Sequence, residues 1–418
     1  MREKWIRPLV LRQLKKIKHG DLAIVAAGKT WTFGTPGSEP AASIVVTSSR
    51  LWTRVAFGGS LGAAESYLRG EWMTDDLEKV LRIFAKHHTV TDNLEKNFGR
   101  VARGIAFLAH QMRSNSRRGS RQNIHDHYDL GNDFFELFLD ETLTYSAGIF
   151  EHNDTTMKQA SLAKLDRVCR KLKLSSQSHV IEIGTGWGSF ALYAATHYGC
   201  RVTTTTISEN QYKVAKERIK AAGLTSRVTV LQTDYRDLVG KFDALVSIEM
   251  IEAVGHKYLD TFFGVCSRLL KSDGAAVLQA IVMPDYRYKS YLDTVDFIQS
   301  YVFPGSSLSS IGAISSSLSR TTDLRLTHLE DLAPHYAKTL RWWRKQFLSQ
   351  VSNVHKLGYD DRFVRLWEYY LAYCEAGFAE RCTGVVQLLL EKPECRQISE
   401  VSATSQNKLV KNIKLEHA

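Results

Sequence analysis

The sequence predicts an α/β protein: a doubly wound, mainly parallel sheet with helices on both faces, preceded by a smaller mixed domain. Three observations carry that expectation. Residues 179–193, HVIEIGTGWGSFALY, read as a short apolar strand, a glycine turn and the start of a helix. Strand and helix patterns then alternate down the chain, which is the signature of a parallel sheet covered on both sides. With 44% hydrophobic and 24% charged residues over 418 positions, the composition is that of a globular chain long enough for a catalytic domain and a further module.

In chain order, Lys4, Arg7, Arg12, Lys15, Lys16 and Lys18 interleave with Trp5, Leu9, Val10, Leu14 and Ile17 at helical spacing. This basic amphipathic helix suits the interface of an anionic membrane, and equally a solvated face docked on its own domain. Leu22 to Phe33 and Ile44 to Phe57 read as strands, with Gly34, Pro36, Gly37 and Pro40 in the turn between them. The stretch AAESYLRGEWMTDDLEKVLRIFAKHH reads as helical. A second basic cluster (Arg100, Arg103, Arg113, Arg117, Arg118, Arg121) contributes to the net charge of +11. Residues 1–115 are thus expected to form a membrane- or lipid-association domain, with Ser114 to Gly119 as linker.

Six cysteines without C-x-x-C spacing give no disulfide or zinc framework. His125, Asp126, His127 and Asp129 match no standard metal site, so no metal is expected. No run is apolar enough to cross a bilayer, and the charged start does not resemble a secretory leader. The expected location is cytoplasmic, peripheral on the inner face of the membrane. Nucleic acid is not an expected partner, because no nucleic-acid motif accompanies the charge.

The catalytic domain is expected over residues 116–392, with a lid insertion at about 284–320 and a flexible tail at 393–418. Its spacing G-x-G-x-G differs from the dinucleotide pattern, and no acid stands about 20 residues downstream for a ribose. An acid, Glu182, instead ends the first strand, which suits a cationic ligand. This pattern resembles the first motif of class I S-adenosylmethionine methyltransferases, Rossmann-like in fold. Ligands of such sheets bind beyond the carboxyl ends of the strands, here Glu182 to Gly188, Ile207 to Gln211, Asp234 to Asp237 and Glu249 to Gly255.

The blocks HYDLGNDFFELFLDETLTYS, EIGTGWG, ISENQ, DYRDL, IEMIEAVG, YVFPG, HYAKTLRWW and YYLAYCEAGF follow one another over residues 122–392. In order and spacing they resemble the cyclopropane-fatty-acyl-phospholipid synthase family, including its mycolic acid cyclopropane synthase relatives. The resemblance implies transfer of a methylene from S-adenosylmethionine to a cis double bond of an unsaturated phospholipid acyl chain. Implied cofactor contacts are Tyr145, Ser146, Gly184, Gly186, Ile207 and Gln211, with Asp234 and Tyr235 near the adenine; Glu182 and Gly188 belong to the same turn. Glu252 takes the position of the family's active-site glutamate, and Tyr336 and Cys374 those of residues near a bound bicarbonate ion. Implied partners are an anionic phospholipid bilayer surface and the acyl chain, and a homodimer is compatible with the sequence.

Three departures stand out. Ala147 replaces a cysteine, Ala253 a histidine, and Gln279 a histidine, so that Gln279 could hydrogen-bond bicarbonate but not titrate. The alternative product is accordingly a methyl- or methylene-branched chain. A noncatalytic lipid-binding protein is the remaining alternative.

Overall fold

The computed structural model describes residues 3–87 and 130–396; the second basic cluster, the linker, His125 to Asp129 and the tail beyond residue 396 lie outside the described residues. A helix, Glu3–Leu14, precedes a sheet of β1 (Asp21–Ala26), β2 (Lys29–Gly34), β3 (Ala41–Val46) and β4 (Trp72–Thr74) in the order β2-β1-β3-β4. The single strand expected from Leu22 to Phe33 is a hairpin, because Ala27 and Gly28 both take positive φ (49° and 70°) and reverse the chain. The strand expected from Ile44 to Phe57 stops at Val46. A helix, Arg50–Leu68, follows and buries Leu51, Trp52 and Ala56 on one face. Gly70, at φ 67°, ends the helical stretch expected next, and a new helix, Leu77–Lys86, starts where the Asp76 side chain accepts from the Lys79 N–H.

The larger sheet comprises β5 (His179–Ile183), β6 (Arg201–Thr205), β7 (Val228–Leu231), β8 (Phe242–Ile248), β9 (Leu270–Val282), β10 (Arg325–Asp331) and β11 (Gly384–Glu391), ordered β10-β11-β9-β8-β5-β6-β7. Neighbours are parallel except at β11, which runs antiparallel to both β9 and β10. Helices Ser189–Tyr198, Glu209–Ala221 and Leu259–Leu269 make the crossovers. With both faces covered, strands such as β5 bury consecutive residues, which is why they read as apolar runs and not as alternations.

Helices Asp285–Leu292, Phe297–Tyr301 and Ile311–Thr321 fill the segment expected to be a lid. The helices Ala333–Ser349 and Asp361–Ala379 then carry the chain back to β11. Their Trp343, Phe347 and Trp367 share one core with Leu22, Trp52 and Ile83 of the amino-terminal region. The two regions are also joined by hydrogen bonds from Tyr67 Oη to Glu368 (2.7 Å) and Tyr301 Oη to Glu65 (2.8 Å), and by the Arg82–Glu380 pair (2.6 Å). The amino-terminal module is therefore not packed as a separate body.

Candidate active site

The carboxyl end of β5 runs into Gly184, Thr185, Gly186, Trp187 and Gly188, and all three glycines have positive φ (102°, 53° and 87°). Gly184 and Thr185 N–H groups both donate to the Thr205 carbonyl at 3.0 Å, which ties the turn to the next strand. A Cβ on Gly184 would lie 3.1 Å from the Met250 side chain, a contact tight enough to require Met250 to shift. Beneath the turn the Glu182 carboxylate accepts from Thr204 Oγ1 at 2.6 Å. Burial pushes its pKa up to about 8, offset in part by that hydroxyl and by Lys164. A bound cation would restore the ionised form.

The other expected contacts converge on the same space. Tyr145, Ser146, Ile207, Gln211, Asp234 and Tyr235 line one cavity with Gly184 and Gly186. Gln211 Oε1 accepts from Thr206 at 2.9 Å, and Tyr145 Oη pairs with Tyr370 Oη at 2.8 Å. The Asp234 carboxylate is held by Arg236 Nε (2.8 Å) and Nη2 (2.7 Å), so it presents a neutralised edge beside Tyr235. Ser146 Oγ accepts from Lys164 Nζ at 2.8 Å. Lys164 is buried, and burial draws its pKa down to about 8.

Next to the glycine turn lies a polar niche built around Glu249, the residue that follows β8. Its Oε1 accepts from the Ala147 N–H (2.9 Å) and Gln279 Nε2 (2.7 Å), and its Oε2 accepts from Tyr336 Oη (2.7 Å). Its backbone is left-handed, at φ 48°, a conformation costing an L residue about 1 kcal/mol or more. Glu249 and Glu252 keep some exposed area, but that area faces the cavity, and both groups are enclosed by protein. Enclosure raises the Glu249 pKa, and the bonds from Tyr336, Ala147 and Gln279 offset part of the rise. Glu252 Oε1 accepts from the Ile281 N–H at 2.6 Å, while its Oε2 has no hydrogen-bond partner among the described residues. Burial first, and the Glu249 charge second, push Glu252 up to about 8. Burial and the same charge raise Tyr336 far above its ordinary value, so it stays a donor.

Gln279 is buried in β9 and is oriented from behind. Lys171 has only donors, and its Nζ meets Gln387 Oε1 and Glu330 Oε2, each at 2.8 Å. Gln387 Nε2 then donates to Gln279 Oε1 at 2.9 Å, which leaves Gln279 Nε2 to face Glu249. The row follows the pairing of the sheet, since Glu330 stands opposite Gln387 and Gln387 opposite Gln279.

Of the residues expected to act, Glu252, Tyr336 and Gln279 come together here. Tyr336 and Gln279 bind the Glu249 side chain where a bicarbonate ion was expected. Cys374 lies on the cavity wall, and burial holds its thiol protonated, so it serves as a small apolar surface. Glu249 itself was passed over, although it heads a strand-end segment already marked as a ligand site. Lys164, Lys171 and Gln387 carried no sequence signal, because only the packing makes them neighbours of the site.

The cavity, of about 830 Å³, continues from the glycine turn past Glu249 and Glu252 into the amino-terminal region. There its lining turns apolar, with Leu14, Ile24, Ile44, Leu51, Trp52 and Phe84. The segment expected to be a lid contributes Tyr291, Ile298 and Phe303, and is tied down where the Ser307 N–H donates to the Glu252 carbonyl at 2.9 Å.

A mostly parallel seven-stranded sheet with a glycine cradle at the end of its first strand defines an S-adenosylmethionine-dependent methyltransferase of the Rossmann-like class. The comparisons with known proteins agree. The mycolic acid cyclopropane synthetase family profile matches residues 115–388, and the chain belongs to that family. It is 38% identical over 344 residues to the tuberculostearic acid methyltransferase of Mycobacterium tuberculosis, covering 81% of this chain and 80% of that protein. It is 35% identical over 360 residues to the cyclopropane-fatty-acyl-phospholipid synthase of Escherichia coli, covering 85% of this chain and 89% of that one. Among solved structures, a mycolic acid cyclopropane synthase complexed with SAH superposes with a TM-score of 0.61 at 30% identity, covering 65% of this chain and 98% of its own. The enzyme is thus one of a family of S-adenosylmethionine-dependent lipid methyltransferases.

Proposed function

We propose that the protein methylates one carbon of a cis double bond in an unsaturated phospholipid acyl chain and releases a methylene-branched chain. The observation that carries this reading is the single cavity joining the glycine cradle, two enclosed carboxylates and a long apolar extension. S-adenosylmethionine, when bound, supplies an electrophilic sulfonium methyl. The chain's own residues do the rest. The turn from Gly184 to Gly188 seats the nucleotide, and the apolar walls hold a weakly nucleophilic alkene in line while excluding water. The faces of Tyr145, Tyr370 and Phe303 stabilise the carbocation left after attack without trapping it.

The branched product is supported by the likeness to a tuberculostearic acid methyltransferase and by the departures at Ala147, Ala253 and Gln279. Likeness to the Escherichia coli synthase supports a second reading, in which the same cation closes to a cyclopropane. The two products are isomers, so mass alone does not separate them. Gas chromatography of lipids from expressing cells should show acyl chains one CH2 heavier, and proton resonance should show vinylidene and not cyclopropane protons. Ring protons would favour the second reading, and unchanged lipids would overturn both.

The same reading places the protein peripherally on the inner face of a membrane. No helix among the described residues is long and apolar enough to span one. In the first helix Val10 and Leu14 are buried in the protein's own core and cannot serve a membrane face, whereas Trp5 (80% exposed) and Leu9 (47%) face outward. Arg12, Lys15, Lys16 and Lys18 are exposed nearby. Each cation contributes about 1 kcal/mol near an anionic surface, and screening shortens its reach from about 10 Å at 0.1 M salt to about 3 Å at 1 M. Sedimentation with anionic vesicles should therefore weaken as salt rises, and weaken further in a Trp5→Ala, Leu9→Ala double variant. Binding indifferent to both would leave this helix as packing alone.

A further inference from the structure

We propose that Glu249 is the proton acceptor of the reaction, a carboxylate of the chain itself standing where family resemblance places a bicarbonate ion. The inference rests on the reaction proposed above. The niche does not fit a bicarbonate ion, because the Ala147 N–H, Gln279 Nε2 and Tyr336 Oη all donate to Glu249 at 2.7 to 2.9 Å. A further anion would also share an enclosed space with the Glu249 carboxylate, next to which Glu252 is already pushed toward its protonated form.

Position favours Glu249 over Glu252. Three donors favour the anionic form of Glu249 against the enclosure that raises its pKa, whereas Glu252 accepts from the Ile281 N–H and its Oε2 has no hydrogen-bond partner among the described residues. Glu249 adjoins Met250, which closes over Gly184, and it binds the backbone that directly follows Tyr145 and Ser146. It thus stands beside the glycine turn that would hold S-adenosylmethionine. Its left-handed backbone, fixed by the Glu249 N–H donating to the Gln279 carbonyl at 2.8 Å, points the same way, since strain is retained where a side chain must be aimed.

The step balances without any redox partner. The alkene π pair forms the bond to the methyl carbon as the methyl–sulfur bond breaks, and that bond's electrons remain on sulfur. A 1,2-hydride shift moves the resulting cation to the methylated carbon. Glu249 then takes a proton from the methyl, and the C–H pair becomes the double bond of the methylene branch. Without the hydride shift the same pair closes a ring.

The test uses the full chain, S-adenosylmethionine and vesicles of unsaturated phospholipid, in buffer freed of carbon dioxide with and without added bicarbonate. Wild type should turn over equally in both. Glu249→Gln should lose about 10³-fold in turnover while its S-adenosylmethionine affinity and melting temperature stay near wild type. Glu249→Gly suits the φ of 48° and leaves three donors facing an open niche, so its low rate should rise at least about tenfold with bicarbonate. A wild-type rate that depends on bicarbonate, or near-normal turnover of Glu249→Gln, would overturn the assignment. A wild type that makes no methylated lipid in either buffer would overturn the underlying reaction together with it.

Discussion

A Gly184→Val variant is expected to bind S-adenosylmethionine about 100-fold more weakly than wild type, a loss of about 2.7 kcal/mol by titration calorimetry. Two independent costs combine. Residue 184 sits at φ 102°, which a β-branched residue does not reach without strain, and a Cβ would press on Met250 at 3.1 Å. Relief requires the turn to move, and the turn is the surface the nucleotide must approach closely. Because Gly184 and Thr185 are anchored on Thr205, the distortion stays at the end of the sheet and the fold should survive. Binding within threefold of wild type in a folded variant would show that the nucleotide sits elsewhere.

The second large effect is expected behind the polar niche, at the head of the row that orients Gln279. Lys171→Met should lower turnover about tenfold and stability by about 2 kcal/mol, the usual cost of leaving a buried acceptor unpaired, here Gln387 Oε1. Methionine fills similar volume, and Arg167 still pairs with Glu330 at 2.5 Å, so the loss is smaller than that of a wholly broken ion pair. Without a compulsory donor at its head, the row Gln387–Gln279 can reverse and turn an amide oxygen toward Glu249. The Glu249 pKa then rises, and because the base must be ionised, the acid limb of the rate profile should move to higher pH. S-adenosylmethionine affinity should not change. A stability loss with an unmoved pH profile would make Lys171 a structural residue only.

The parts of this architecture legible in the sequence were those written in local pattern. The glycine turn, the alternating strands and crossovers from β5 to β9, and the ordered blocks near Tyr145, Gln211, Glu252 and Tyr336 needed no tertiary information. What stayed hidden depended on it. The break at Ala27–Gly28 sat within an otherwise continuous strand pattern, and Leu51 to Phe57 suited a strand or a helix by composition. Glu249 was obscured by its neighbour Glu252, whose place in a recognisable block drew the catalytic role. Its three donors come from Ala147, Gln279 and Tyr336, up to 102 residues away along the chain. The orienting row behind Gln279 exists only because β11 is inserted antiparallel between β9 and β10.

The shared wall of the cavity has a kinetic consequence. An acyl chain lying against Leu51, Trp52 and Phe84 on one side and Tyr291, Ile298 and Phe303 on the other spans the seam between the two halves of the molecule. The Tyr301–Glu65 hydrogen bond at 2.8 Å is one of the contacts that hold the two sides of that seam together. If the finished lipid leaves through this seam, its escape is coupled to opening of that contact, and unloading is then expected to be slower than bond making. Loosening that contact is then expected to quicken multiple turnovers while leaving a single turnover unchanged.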